Sequence, residues 1–120
     1  MKYLSVITLL LASCNINMAY EKQISGRYYL IATDTKEQLD ISRKLENGGY
    51  IGRIPARVQG YAVINDTLIF ARTTGGYYVL NTVHDHDFAE VKDVVIGPLD
   101  RATFIHDWSN KYSIKFISPE

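Results

Sequence analysis

Short runs of apolar, aromatic and β-branched residues, each bounded by polar turn residues, recur along most of this chain, and that pattern predicts strands. From Gly26 the run GRYYLIAT is rich in aromatic and β-branched residues and ends in the turn-prone Asp34-Thr35-Lys36, so residues 26–33 are predicted as a strand. Leu39, Ile41 and Leu45 fit either a helix over residues 36–46 or a strand, and Asn47-Gly48-Gly49 fits either a helix end or a hairpin turn. The run Tyr50-Ile51-Gly52-Arg53-Ile54 directly afterwards reads as a returning strand and favours the hairpin. Pro55 marks a strand end or a bulge, because it has no N–H for a ladder.

Residues 57–64 and 67–73 are apolar, β-prone segments joined by Asn65-Asp66, which tolerates the positive φ of a tight hairpin. Thr74-Gly75-Gly76 turns the chain again into a strand over residues 77–83. His84-Asp85-His86-Asp87 interrupts the pattern, and residues 88–95 read as a short helical turn followed by a strand. The period then becomes helical. Pro98 lies near a first helical position, Asp100 in a first turn, and Leu99, Thr103 or Phe104, Ile105 and Trp108 recur at three-to-four spacing, predicting a helix over residues 99–109. Residues 112–117 (YSIKFI) alternate once more as a final strand. The expected fold is β-dominated α+β: an antiparallel meander or half-open barrel of six to seven short strands, with one C-terminal helix and a final strand.

The opening stretch follows other rules. Lys2 is a positive start, and residues 4–12 form an apolar run too short for a bilayer core that needs roughly 20 residues. The run ends in Leu11-Ala12-Ser13-Cys14, which resembles the lipobox of bacterial lipoproteins. The resemblance implies lipid on the Cys14 thiol, cleavage before Cys14, and a membrane anchor in the cell envelope; Asn15 in place of an aspartate leans toward the outer membrane where the host has two. Residues 1–13 are then a lipoprotein signal peptide, residues 14–25 the lipidated cysteine with a tether, and residues 26–120 one β-rich domain. Tyr28-Tyr29-Leu30, Gly49-Tyr50-Ile51-Gly52-Arg53 and Val95-Ile96-Gly97-Pro98-Leu99 also resemble segments of small uncharacterised envelope lipoproteins, a likeness that implies architecture and no activity.

Cleavage before Cys14 leaves 107 of the 120 residues, enough for one modest core, with 12 basic against 13 acidic residues. Basic residues stand singly apart from Arg43-Lys44, so no face is charged to neutralise phosphates and a nucleic-acid partner is excluded. Cys14 is the only cysteine, which leaves no disulfide and no thiol nucleophile in the domain. The mature chain also has no Gly-x-Ser-x-Gly elbow and no Ser-x-x-Lys, so the expectation is that it is not an enzyme and needs no cofactor beyond the covalent lipid.

Two sets of residues could carry function. If the strand beginning at Tyr77 continued through the acidic run, His84 and His86 would share a face one pleat apart and could ligate zinc or copper, with a third ligand from His106 or Asp107. Otherwise the run is a polar loop that satisfies its own backbone. The other set is aromatic. Tyr28-Tyr29 and Tyr77-Tyr78 are doublets within strands, so one ring of each faces outward, and with Tyr50 or Tyr61 these could form a surface for glycan, peptide or protein. The leading expectation is a non-enzymatic, lipid-anchored binding module for an envelope protein or polymer. The alternatives are a metal-binding protein centred on His84 and His86, and an inhibitor or immunity protein that inserts residues 47–49 or 73–76 into a lytic enzyme or toxin.

Overall fold

The computed structural model describes residues 19–119, which form two four-stranded antiparallel sheets and a C-terminal helix. The front sheet holds β1 (Tyr20–Ser25), β2 (Tyr28–Ala32), β3 (Asp40–Lys44) and β4 (Tyr50–Ile54), in that order. The back sheet holds β5 (Val58–Ile64), β6 (Leu68–Thr73), β7 (Gly76–Asn81) and β8 (Val95–Leu99), also in order. A single turn, α1 (Val91–Val94), leads into β8. The C-terminal helix, α2, spans residues 101–112. The fold is the expected β-dominated α+β class, built as two meanders that face each other in an open sandwich and do not close into a barrel.

Turn chemistry sets the hairpins. Asn65 and Asp66 both take positive φ, 53° and 57°, the left-handed pair that a two-residue hairpin requires. Tyr20–Ser25, expected within the tether, pairs with β2 from Tyr20 opposite Ala32 to Ser25 opposite Tyr28. Tyr20 and Ile24 pack on the core, while exposed Glu21, Lys22 and Gln23 obscure the period in the sequence. The expected signal peptide of residues 1–13, Cys14 and residues 15–18 of the expected tether lie outside the described residues.

Strict alternation sends successive side chains of the back sheet into two different cores. Tyr61, Ile69, Ala71 and Leu80 meet Leu30, Ile41 and Ile54 of the front sheet, whereas Ala62, Phe70 and Val79 face α2. The back sheet is therefore buried on both faces, and the molecule has three layers. Asp100 caps α2 by accepting the Thr103 amide at 2.7 Å. Leu99 and Pro98 belong to β8 and not to the helix, so the helix starts two residues later than its spacing suggested. In α2 the wider turns of Ile105–Ser109 matter for packing: residues eight apart sit about 80° apart round a regular α-helix, and the wider turns cut that drift. Phe104, Trp108 and Tyr112 all reach Phe70, with ring centroids 6.0, 5.9 and 5.9 Å away. The expected final strand pairs at one point, where Ile117 exchanges backbone hydrogen bonds with Tyr61 at 2.7 and 3.0 Å, while Ile114 and Phe116 pack into the helix-side core.

One polar network holds the front sheet to the loop of residues 82–90. Ile41 opposes Ile54 and Ser42 opposes Gly52, so Arg53 is the extra residue of a bulge in β4. The bulge lets Arg53 and Ile54, neighbours in sequence, both point inward. The Arg53 and Asp85 side chains are each 0% exposed. Arg53 Nε donates to both Asp85 oxygens at 3.1 and 2.9 Å, and Nη2 donates to Oδ1 at 2.9 Å. The same Nη2 reaches the carbonyls of His86 and Ala89 at 3.2 and 3.0 Å. Asp85 also accepts from the Tyr28 hydroxyl at 2.7 Å, and Arg43 links that hydroxyl, at 3.1 Å, to Asp87 at 3.0 Å. Removing one member of such a pair leaves a buried charge unmatched. Arg53→Leu is expected to destabilise the fold by about 3–5 kcal/mol in urea unfolding, and Arg53→Leu/Asp85→Leu by less than the sum of the single changes; strict additivity would show the pair to be uncoupled.

Candidate functional site

Antiparallel register brings three side chains together on the outer face of the front sheet, which no described element covers. Tyr29 projects from β2, Lys44 from β3 and Tyr50 from β4, with Lys44 directly opposite Tyr50. The two rings meet edge to face, centroids 5.5 Å apart at 73°. Lys44 Nζ lies 5.5 Å from the centre of one ring and 6.0 Å from the other, within cation–π range of both. The Tyr50 hydroxyl donates to Glu21 on β1, joining the two edge strands across the face. Four strands at the usual spacing put those edges about 14 Å apart, so the sheet curls and the face is concave.

The resulting hollow, about 700 Å³, is lined by Glu21, Ile31, Asp40, Ser42, Lys44 and Tyr50 among others. Ser42 donates to Asp40 Oδ1 at 2.7 Å. Burial nevertheless holds the Asp40 carboxyl above its ordinary range, with the Ser42 bond opposing. Burial, then the bond to Glu21, also raises the Tyr50 hydroxyl. The hollow thus offers one flat apolar ring, carboxylate acceptors and one ammonium, with the second ring, Tyr29, braced against the first. This chemistry suits a ligand with apolar C–H faces and many hydroxyls.

Of the expected surface, one outward ring from each doublet with Tyr50 or Tyr61, the structure brings together Tyr29 and Tyr50, while Tyr61 is buried. Tyr28 points into the sandwich, 4% exposed. Tyr77 lies under α2, stacked on Phe104 with centroids 4.6 Å apart. Tyr78 packs on the inter-sheet core and against Gly97, where a Cβ would come within 2.5 Å of its ring. The doublets fall on different sheets, and the helix covers the back sheet's outer side; Tyr29 and Tyr50 remain on an open face.

The metal set of His84, His86 and His106 does not converge either. β7 ends at Asn81, so the alternation does not carry into the acidic run. Asp85 and Asp87 turn in toward arginines while His84 and His86 stay exposed, and His86 Nδ1 accepts the Phe88 amide at 3.2 Å. His106 sits on α2, 88% exposed, with Nδ1 2.7 Å from Asp107. Among the described residues no three His, Cys, Asp or Glu come together in a group that could hold a metal ion.

Sequence reading missed Arg53, Asp85, Arg43 and Asp87 as a unit, and Lys44 and Glu21 as partners of the tyrosines. An arginine followed by isoleucine and proline after a glycine was the one local sign of the bulge. No family model, no curated protein and no solved structure matches the chain, so the site rests on its own geometry.

Two titrations follow. The Glu46 amide, at 2.9 Å, and then the Arg43 guanidinium hold Asp87 below the usual carboxylate range. A depressed folded pKa contributes stability that is complete above the unfolded value, about 3.9, and is lost as pH falls through the folded one. Unfolding midpoints should therefore drop below about pH 4, and less steeply in Asp87→Asn. Burial, and then its bond to Asp85, pushes Tyr28 up to about 12 from 10.0. Its contribution is present below pH 10.0 and lost as pH rises through about 12. The phenolate absorbance titration should lose a step near that value in Tyr28→Phe; an unchanged curve would place Tyr28 elsewhere.

Proposed function

We propose that this chain is a non-enzymatic binding module of the bacterial cell envelope, held at the membrane by lipid on Cys14, and that the outer face of the front sheet binds an envelope polysaccharide. The observation that carries the reading is the Tyr29–Lys44–Tyr50 cluster at a concave face floored by Ile31, Ser42 and Asp40. A sugar ring stacks its C–H face on tyrosine and donates hydroxyls to carboxylates, and both groups are present within one hollow. Preformed rings bind with little ordering cost, since Tyr29 and Tyr50 already brace each other. The anchor supports the same reading, because a multiply acylated cysteine keeps the domain at the membrane surface, where such polymers are found.

The test is co-sedimentation of the purified lipidated protein with isolated envelope polysaccharide. Tyr29→Ala and Tyr50→Ala should each weaken binding by about tenfold while the circular dichroism spectrum stays the same. Equal sedimentation of both variants would rule out this face. Metabolic labelling with a fatty acid checks the anchor: Cys14→Ala should lose the label and remain unprocessed, and a label that persists would disprove the lipobox.

One observation favours the inhibitor reading as a second. Phe88 is 92% exposed on the loop that Arg53 and Asp85 pin in place, which suits a ring held out for insertion into a partner's pocket. This points to residues 82–90 as the inserting loop, in place of the expected 47–49 or 73–76. Phe88→Asp should then abolish protection against a lytic enzyme without lowering the unfolding midpoint; protection equal to that of the unaltered chain would dismiss the loop.

A further inference from the structure

A second concavity, about 600 Å³, opens where the two sheets end side by side. β4 is the last strand of the front sheet and β8 the last of the back sheet. The cleft is lined by Gly52, Ile54 and Pro55 on one side and by Val95, Gly97 and Pro98 on the other. Tyr78 and Val91 contribute further apolar surface.

Its charged residues are few. The Arg53 guanidinium is occupied by Asp85 and three carbonyls, one of them that of Gly52 on β4 at 3.3 Å. Lys92 lies 3.7 Å from Glu90. Asp40 is different. Ser42 is the one hydrogen-bond partner of its carboxylate among the described residues, and none of their Lys, Arg or His side chains lies within ion-pair distance of it. The carboxylate is half-buried at the lip between this cleft and the hollow on the outer face. Asp40 is the one acid among the residues that line the cleft, and no cation pairs with it.

We infer that this cleft binds an extended, apolar peptide segment of another protein, laid along the free edge of β4 with a basic side chain on Asp40. The edge of a sheet carries unpaired N–H and C=O groups in a row, and an added strand satisfies them while its alternate side chains enter adjacent pockets. Here the apolar surface beside the edge is that of Pro55, Tyr78 and Val95, and the outstanding charge is negative. An acyl chain would fill the apolar space and leave the strand edge unpaired. Pro98 has no N–H to offer, which directs pairing to β4, and Pro55 limits it to the five residues Tyr50–Ile54. The inference shares Asp40 with the polysaccharide face, but it uses the strand edge and not the rings of Tyr29 and Tyr50.

Isotope-labelled full-length protein would be titrated with an alternating valine–lysine pentapeptide, its valine–glutamate counterpart, and octylammonium. The lysine peptide should shift the β4 backbone amides, and the glutamate peptide should bind at least about tenfold more weakly. Asp40→Asn, nearly isosteric, should lower affinity for the lysine peptide by about tenfold and strengthen binding of the glutamate peptide, narrowing the difference between the two. Val91→Gln, at a half-exposed position of the cleft, should weaken both peptides. Tyr29→Ala should alter neither, which separates failure here from failure of the polysaccharide face. Absent β4 shifts, equal affinity for the two peptides, or an Asp40→Asn variant that binds like the parent would overturn the inference. So would octylammonium binding as tightly as the lysine peptide, since the occupant would then be an amphiphilic amine.

Discussion

The architecture turns on one buried ion pair. Arg53 and Asp85 are both fully enclosed, and charges taken out of water are tolerated only when every polar atom finds a partner. Here they do: no buried side-chain nitrogen or oxygen among the described residues lacks a hydrogen bond. The guanidinium holds the carboxylate and two loop carbonyls at once, so an irregular segment becomes a fixed part of the front sheet's inner side. That requires β4 to present Arg53 and Ile54 on one side, which a regular strand cannot do. The bulge supplies the extra residue, and it bends the edge strand that borders the cleft.

A second constraint is the shortage of faces. The sheets have four between them; the sandwich consumes two and α2 a third. The remaining one, the outer face of the front sheet, is where Tyr29, Lys44 and Tyr50 can meet a ligand. The Tyr50–Glu21 bond spans this face between the edge strands, so the contact that closes the hollow also orients the ring that lines it. Asp40 sits where that hollow borders the open end of the sandwich, so two neighbouring concavities share one acid.

Several features were legible in the sequence because their causes are local. The hairpins at Asn65-Asp66 and Gly75-Gly76, the apolar, β-prone runs of β5 to β7 and the approach to α2 depend on backbone preferences and side-chain composition within a dozen residues. The helix start was misplaced because Leu99 and Pro98 satisfy helical spacing equally well as the end of β8. Strand β1 was missed because an edge strand exposes most of its polar side chains and shows little period.

What the sequence by itself determined is therefore the class of fold, the order of its elements, and a set of aromatic and ionisable residues able to act. The tertiary structure decided which of them come together and which stay open. Alternation says that the two rings of a doublet face opposite ways but not which side a helix will cover, and so Tyr77 is enclosed while Tyr29 is open. The acidic run looked like two histidines with aspartates behind them; an arginine 32 positions earlier claimed Asp85 and turned the histidines out. Long-range pairing of charges and the choice of buried face are settled by packing between segments distant along the chain, and no local pattern encodes them.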